Sequence, residues 1–151
     1  MINNSTEKSY VVGMDIGGTN TVFGIVDARG NILCHDCVKT QAYPTIEEYL
    51  DAVCEKLLPM IREQVDFENI KGLGIGAPNG NYYSGCIEQA ANLPWKGVVP
   101  IASMFSAKTG LPTVLTNDAK AAAIGEMTYG AARGMKDFIM ITLGTGVGSG
   151  I

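Results

Sequence analysis

Two apolar segments joined by a short glycine turn constrain this chain more than any other feature. Residues 10–15 have the character of a buried strand that ends in an acidic residue, Asp15, and residues 21–27 are apolar again. A second glycine turn, residues 29–31, leads into residues 32–39. Strands joined by such tight turns pair with their neighbours in antiparallel fashion. The chain is therefore expected to begin with a three-stranded antiparallel meander.

Hydrophobic spacing beyond this meander predicts alternating helices and strands. Apolar residues recur at helical intervals between Ile46 and Ile61, after a start at Pro44 and Thr45. The later segments are predicted as a strand at 70–77, a loop, a helix at 101–108, a strand at 112–116, a helix from 118 to about 129, a strand at 136–143 and a glycine loop at 144–150. The order βββαβαβαβ indicates an α/β fold.

Composition and charge exclude several classes of protein. The chain has 151 residues, of which 46% are hydrophobic and 17% charged, and this balance is typical of a globular domain. Its net charge of −4 argues against a nucleic-acid partner or an anionic membrane, because both require a basic face. The first ten residues are polar, unlike a signal peptide, and no apolar run approaches the roughly 20 residues that cross a bilayer. These features predict a cytoplasmic protein.

Four cysteines are too few for a disulfide scaffold of this length. Residues 34–37, Cys-His-Asp-Cys, suggest a metal site at first sight. They lie in a predicted strand, where successive side chains point to opposite faces, and no second ligand pair follows at zinc-finger spacing. We therefore interpret these residues as structural.

The first glycine turn is a candidate phosphate loop. Gly17 and Gly18 would let backbone N–H groups approach an anion closely, and Thr19 and Asn20 add side-chain donors. Asp15, at the end of the strand, could hold Mg²⁺ through water. Glycine pairs are also common in ordinary hairpin turns, so the residues alone leave both interpretations open.

Asn117 and Asp118 stand at a predicted junction between a strand and a helix. Asn and Asp are favoured helix N-caps, and capping is the better interpretation of the pair in isolation. A carboxylate at the carboxyl end of a strand is also well placed to act as a general base.

A second candidate phosphate loop follows the last predicted strand. Its residues are Gly144, Thr145, Gly146, Val147 and Gly148, whose N–H groups could form an anion-binding nest. It is not a Walker loop, because no lysine follows at the required spacing.

Residues 72–77 match the dinucleotide-binding fingerprint loosely. Pro78, Asn79 and Gly80 follow directly and would block the helix that this fingerprint requires. We therefore interpret the match as fortuitous.

Residues 15–20, 117–119 and 143–148 resemble, in order and spacing, motifs of the ROK family. That family groups bacterial sugar kinases, glucokinase above all, with sugar-responsive repressors, and it belongs to the superfamily of hexokinase and actin. Residues 74–78 and 91–95 look like its sugar-side segments. The similarity covers nearly the whole chain.

The resemblance implies a ribonuclease H-like fold with a mixed five-stranded sheet, as in an actin- or hexokinase-type ATPase lobe. Residues 1–134 would form this N-terminal lobe, and residues 135–151 would begin a second lobe that is otherwise absent. Because the chain stops at Ile151, just past a glycine turn, we expect it to be a fragment. The second lobe would supply the adenosine pocket, further sugar ligands and any structural zinc, and the full-length protein would be a homodimer.

The resemblance also implies roles for individual residues. The two glycine turns would bind ATP, with Mg²⁺ near Asp15, and Asp118 would be the general base. The residues implied in sugar binding are Asn79, Gly80, Asn92, Asn117 and Asp118.

The implied function is transfer of the ATP γ-phosphate to the 6-hydroxyl of a hexose, most simply glucose. Fructose, mannose or an N-acetylated hexosamine remain open as substrates, because the absent lobe contributes to the choice. A sugar-sensing regulator would carry a helix-turn-helix ahead of the first strand, where fewer than about ten residues are present. An actin-like assembly module would need neither the Asn117–Asp118 pair nor the Asn92 loop.

Overall fold

The predicted meander is present at the start of the computed structural model, which describes residues 8–143 and 147–151. Strand β1 (Tyr10–Ile16) pairs antiparallel with β2 (Asn20–Asp27), and β2 pairs antiparallel with β3 (Ile32–Lys39). In β1, buried side chains alternate with more accessible ones, as expected when one face of a sheet packs against a helix.

Helix α1 (Ile46–Gln64) begins with a capping box. The Glu48 N–H donates to Thr45 Oγ1, and the Thr45 N–H donates to a Glu48 carboxylate oxygen, each over 3.3 Å. Its buried side follows the predicted helical spacing and consists of Tyr49, Leu50, Val53, Cys54, Leu57 and Ile61. Helix α1 therefore covers one face of the sheet, as the apolar period predicted.

Strand β4 (Ile70–Ala77) runs parallel to β1 and contains the whole of the glycine-rich segment 72–77. That segment is an extended strand, so the interpretation of its dinucleotide-like pattern as fortuitous is confirmed. The loop predicted after it contains a small antiparallel sheet of β5 (Gly80–Asn81), β6 (Cys86–Glu88) and β7 (Val98–Val99). Strands of two or three residues are too short to show a period in sequence.

The second half of the main sheet follows the prediction. Helix α2 (Ile101–Thr109) ends at Gly110, whose φ is 75°, and leads to β8 (Thr113–Asn117), parallel to β4. Helix α3 (Asp118–Tyr129) starts where β8 stops. The sheet has the order β3-β2-β1-β4-β8, which confirms the mixed five-stranded sheet. The carboxyl ends of β1, β4 and β8 consequently share one edge.

The end of the chain differs from the prediction. The last predicted strand is shorter, as β9 (Met140–Leu143), and part of the predicted glycine loop is a further strand, β10 (Val147–Gly150). These two strands form a separate antiparallel hairpin. The glycines of β10 suggested a loop, yet they are the residues that let this strand pack closely on α3. The predicted loop residues 144–146 lie outside the described part of the chain.

Within the residues that the structure describes, no helix is long and apolar enough to cross a membrane. The core lies between the sheet and helices α1 and α2. Cys54 is a buried thiol in this core, and burial is the main cause that raises its pKa.

Candidate functional site

The turn between β1 and β2 stands at the carboxyl end of β1. The Gly17 N–H donates to the Asn20 carbonyl over 2.9 Å and closes the turn. A Cβ on Gly17 would lie 2.7 Å from the Asn20 carbonyl oxygen, so only glycine fits at this position. Thr19 and Asn20 are exposed. The turn therefore presents backbone and side-chain groups to solvent at the shared strand edge.

Asp15 lies one residue before the end of β1 and pairs across the sheet with Gly76 on β4. Asp15 is exposed as a residue, but partial burial of its carboxyl raises its pKa above the ordinary aspartate value, and the negative charge of Asp118 raises the pKa further. The two carboxylates are therefore close enough to repel each other, although they are far apart in sequence.

Gly76 permits this close approach. A Cβ on Gly76 would lie 3.5 Å from the Asp118 Cα and 3.2 Å from the Ala121 Cβ, on the face of the sheet that α3 covers. A larger side chain would push the start of α3 away from β4. The glycine thus places Asp118 beside Asp15.

Asn117 caps helix α3. Its Oδ1 accepts hydrogen bonds from the N–H groups of Ala119 (3.0 Å) and Lys120 (3.3 Å). The Asp118 Oδ1 also accepts from the Ala119 N–H, over 2.8 Å. The capping interpretation is confirmed for Asn117, whose oxygen is engaged with the helix. Its Nδ2 is the group suited to a ligand.

The described part of the second glycine loop packs on the first turns of α3. A Cβ on Gly148 would lie 3.0 Å from the Ala119 Cβ, and one on Gly150 would lie 2.5 Å from the Ala123 Cβ. Gly148 is half-buried and Val147 is exposed. The strand that leaves the second loop is therefore next to the helix that begins at Asp118. The other three predicted loop residues, Gly144, Thr145 and Gly146, are outside the described residues.

The predicted sugar-side residues divide into two groups. Asn79 has a φ of 53°, and its Nδ2 donates to the carbonyls of Glu88 (2.9 Å) and Gln89 (3.3 Å), so this amide nitrogen holds the small sheet in place. A Cβ on Gly80 would collide with the Thr116 carbonyl, and this contact seats β5 on β8.

Asn92 forms the other group and lies against the first glycine turn. Its Cβ and carbonyl oxygen are 3.3 and 3.2 Å from the position that a Cβ on Gly18 would occupy. The structure therefore brings together Gly18, from the candidate phosphate turn, and Asn92, from the candidate sugar segment.

Sequence reasoning missed Gln41, which contacts both of these segments. Its Nε2 donates to the Gly18 carbonyl over 2.5 Å and to the Asn92 carbonyl over 3.0 Å. No motif marks this residue, since its partners lie 23 and 51 positions away in sequence.

Aromatic residues of the same loop behave differently from one another. Trp95 is buried, its indole N–H donates to the Tyr43 carbonyl over 3.2 Å, and its ring centroid is 4.4 Å from that of Tyr49. Trp95 is therefore a packing residue of the core. Tyr82 and Tyr83, by contrast, are 63% and 97% exposed.

The Asp15 carboxylate, with the Asp118 charge in its neighbourhood, fits a Mg²⁺ ion that takes its remaining ligands from waters and phosphates. Mg²⁺ is usually bound through one or two carboxylates together with phosphate oxygens. Among the described residues, no group of three or more metal-ligating side chains is present. Partial burial is the larger cause of the raised pKa of Asp15 and the charge of Asp118 the smaller one, and a divalent cation would offset this repulsion.

A mixed sheet that delivers a glycine turn and two carboxylates to one edge, with a second glycine strand beside them, defines an actin- or hexokinase-type lobe. The model of the ROK family matches residues 11–151, and the chain belongs to this family.

A glucokinase from Streptomyces coelicolor is 37% identical to this chain over 141 residues, which are 93% of this chain and 42% of that protein. The structure of a ROK family glucokinase from Streptomyces griseus, in complex with glucose and AMPPNP, aligns with a TM-score of 0.79 at 38% identity. The alignment covers 93% of this chain and 43% of the Streptomyces griseus chain. The chain thus spans less than half the length of these relatives.

The same fold occurs in a protein of another kind. A ROK family transcriptional regulator, a homolog of the E. coli MLC protein, aligns with a TM-score of 0.79 at 18% identity, over 94% of this chain and 36% of that one. At this identity the likeness shows the fold alone.

Proposed function

We propose that this chain is the N-terminal lobe of an ATP-dependent sugar kinase. The observation that carries the proposal is the meeting of the Gly17–Gly18 turn, Asp15 and Asp118 at one edge of the sheet. Phosphoryl transfer needs anion cradles, a metal and one group that orients the attacking hydroxyl, and these residue types supply them. The glucokinase relatives support glucose as the substrate and ATP as the donor.

Each residue has a role in the proposed reaction. The turn at residues 17–20, closed by the Gly17 N–H, binds the phosphates of ATP through the N–H groups of Gly18 and Thr19 and the side chains of Thr19 and Asn20. The second glycine loop, residues 144–148, binds them from the other side. Asp15 would hold Mg²⁺ through water, and the ion would supply neutralisation of charge on the transferred group. Asp118 accepts the proton of the sugar 6-hydroxyl. An ordinary carboxylate is a weak base for an alcohol, but in a loose transition state the orientation of the hydroxyl matters more than basicity.

The sugar is held by side chains on the same edge. Asn117 offers its Nδ2 to a sugar hydroxyl while its Oδ1 caps α3. Asn79, Gly80 and Asn92 line the pocket. Residues 1–134 form this lobe, and the hairpin within residues 135–151 begins the second lobe, which completes the cleft and contributes to the choice among hexoses.

The proposal is tested by assaying the intact protein with ATP, Mg²⁺ and a panel of hexoses, together with the variant Asp118→Asn. Loss of a general base costs about 10²- to 10⁴-fold in turnover, so the variant should lose activity on that scale while still binding sugar. Asp66→Asn is the matched control, because Asp66 is exposed and precedes β4, at the opposite end of that strand.

Near-normal turnover of Asp118→Asn would show that Asp118 is not the base. Because a ROK family transcriptional regulator shares this fold, the same assay has a second informative outcome. Sugar binding by the wild-type protein without phosphorylation of any hexose would favour a sugar sensor over a kinase.

A further inference from the structure

Gln41 links the two halves of the proposed site. It lies in the short 3₁₀ turn Thr40–Ala42 that follows β3, and it is exposed. Both of its partners are carbonyl oxygens, at Gly18 and Asn92, so the contacting atom must be the amide nitrogen, the only donor of a glutamine side chain. One side-chain group therefore joins the phosphate turn to the sugar segment.

The backbone next to Gln41 strengthens its hold on the turn. The Thr40 N–H donates to the Thr19 carbonyl over 2.9 Å. Two successive carbonyls of the turn, at Gly18 and Thr19, are thus bound by the two successive residues Thr40 and Gln41. The conformation of the turn is set from the β3 side.

Fixing the Gly18 carbonyl also fixes the Thr19 N–H. The two groups belong to one planar trans peptide and point in opposite directions. A bond from Gln41 to the Gly18 oxygen therefore orients the Thr19 N–H, which is one of the proposed phosphate donors. The same amide group holds the backbone of Asn92, whose side chain faces the sugar in the proposed function.

Both segments also rest on one buried layer to which the exposed Gln41 side chain does not belong. The Thr21 hydroxyl lies 2.8 Å from the Tyr49 hydroxyl and 3.0 Å from that of Thr40. The Tyr49 ring contacts Trp95, in the loop that carries Asn92. Loss of the exposed Gln41 amide would leave this layer in place and loosen only the contact between the Gly18 turn and the Asn92 segment.

We propose that Gln41 is a positioning residue that couples sugar binding to nucleotide binding. Ordering of Asn92 by a bound sugar is transmitted through the Gln41 amide to the Gly18–Thr19 peptide, and ordering of that peptide by phosphate is transmitted back. The inference rests on the proposed function, because it concerns the same site. Coupling of this kind is reciprocal between two ligands.

The test compares Gln41→Met with wild type in the intact protein. Methionine keeps the length of the side chain and removes the donor. The dissociation constant of glucose is measured by calorimetry with and without AMPPNP, and that of AMPPNP with and without glucose. The coupling ratio of a ligand is its dissociation constant without the other ligand divided by its dissociation constant with the other ligand. This ratio should fall about three- to tenfold in Gln41→Met, as expected for the loss of one or two hydrogen bonds. The factor should be the same for glucose and for AMPPNP.

Gln64→Met is the matched control, since Gln64 is exposed at the last residue of α1. It should leave the ratio unchanged, and both variants should unfold at the wild-type temperature. An unchanged ratio in Gln41→Met would overturn the inference, as would binding of the two ligands that is already independent in the wild type.

These outcomes separate the inference from the proposed function. Wild-type protein that binds both ligands with coupling but transfers no phosphate would contradict the kinase function. The change of the coupling ratio in Gln41→Met would still decide the inference. Active wild-type protein with an unaltered ratio in Gln41→Met would contradict the inference alone.

Discussion

The carboxylates of Asp15 and Asp118 repel each other across Gly76, and this repulsion adds to burial in raising the pKa of Asp15. The two residues come from β1 and α3, which are separated in sequence by most of the lobe. Like charges are costly at short range unless a cation or a bound ligand compensates them. The pair is thus a feature that folding alone does not favour, and it lies where the proposed reaction takes place.

The first prediction concerns stability and pH. Because the pKa of Asp15 is raised on folding, its contribution favours the folded state below the unfolded pKa of about 3.8 and is lost as pH rises through the folded pKa. Asp15→Asn should therefore raise the midpoint of thermal unfolding at pH 7, and the gain should vanish near pH 3. Thermal unfolding between pH 3 and 8 measures this.

A control of opposite sign is available for that experiment. The pKa of Asp27 is lowered, chiefly by hydrogen bonds from Asn31. Asp27→Asn should therefore lower the unfolding midpoint at pH 7, and the loss should shrink as pH falls. A gain for Asp15→Asn that is the same at every pH would contradict the assignment of its raised pKa.

The second prediction separates the two causes of that shift. Asp118→Asn removes the neighbouring charge but leaves the burial of Asp15, which is the larger cause. The pKa of Asp15 should therefore fall in this variant without reaching the ordinary aspartate value. This pKa is measured by following the chemical shift of the Asp15 carboxyl carbon with pH by NMR. An unchanged pKa would show that the two carboxylates do not interact.

The third prediction concerns the contact of Gly18 with Asn92. A Cβ at Gly18 would lie 3.2 Å from the Asn92 carbonyl oxygen, which is tighter than an ordinary contact, so Gly18→Ala should displace the Asn92 loop by a few tenths of an ångström. We expect a KM for sugar about tenfold higher, because small misplacements at a reacting site are costly.

The control for that variant is Gly125→Ala in α3. A Cβ there meets no atom within 4 Å, and alanine should stabilise the helix by about 0.5–1 kcal/mol. Steady-state kinetics and chemical denaturation of both variants are the measurements. A sugar KM for Gly18→Ala equal to that of the control would contradict the contact.

The fourth prediction distinguishes the two roles of Asn117. Asn117→Ala removes the cap of α3 and should cost about 1–2 kcal/mol of stability. Asn117→Asp keeps a capping oxygen but loses the Nδ2 donor, so it should retain stability and lose sugar affinity. Denaturation and sugar-binding calorimetry measure the two effects separately. Wild-type sugar affinity in Asn117→Asp would leave Asn117 with a capping role only.

The fifth prediction concerns the buried hydroxyl contact of Tyr49. Tyr49 is fully buried and its hydroxyl lies 2.8 Å from that of Thr21, so Tyr49→Phe should cost about 0.5–1.5 kcal/mol. Tyr83→Phe removes the same atom from a ring that is 97% exposed and should change stability by less than about 0.5 kcal/mol. Urea denaturation of both variants checks this, and equal effects would contradict a role for the hydroxyl contact.

Local signals in the sequence predicted the elements of the main sheet and its helices. The tight glycine turns, the helix start at Pro44 and Thr45, the cap at Asn117 and the apolar period of α1 are short-range features, and the structure confirms them. Features that depend on distant partners were missed or misjudged. Gln41 carries no motif, and Met127 and Met135 are exposed although their side chains are apolar, because hydrophobicity alone does not say which face another element covers.

The order of the motifs along the chain determined what kind of protein this is. Each motif consists of neighbouring residues whose backbone chemistry is local, so its identity can be deduced without a structure. The structure alone decided which residues share the site. Parallel strands bring the ends of β1, β4 and β8 together, Gly76 admits α3 to their edge, and Gln41 reaches two segments at once. Such contacts depend on through-space distances across many intervening residues, and no spacing in the sequence encodes them.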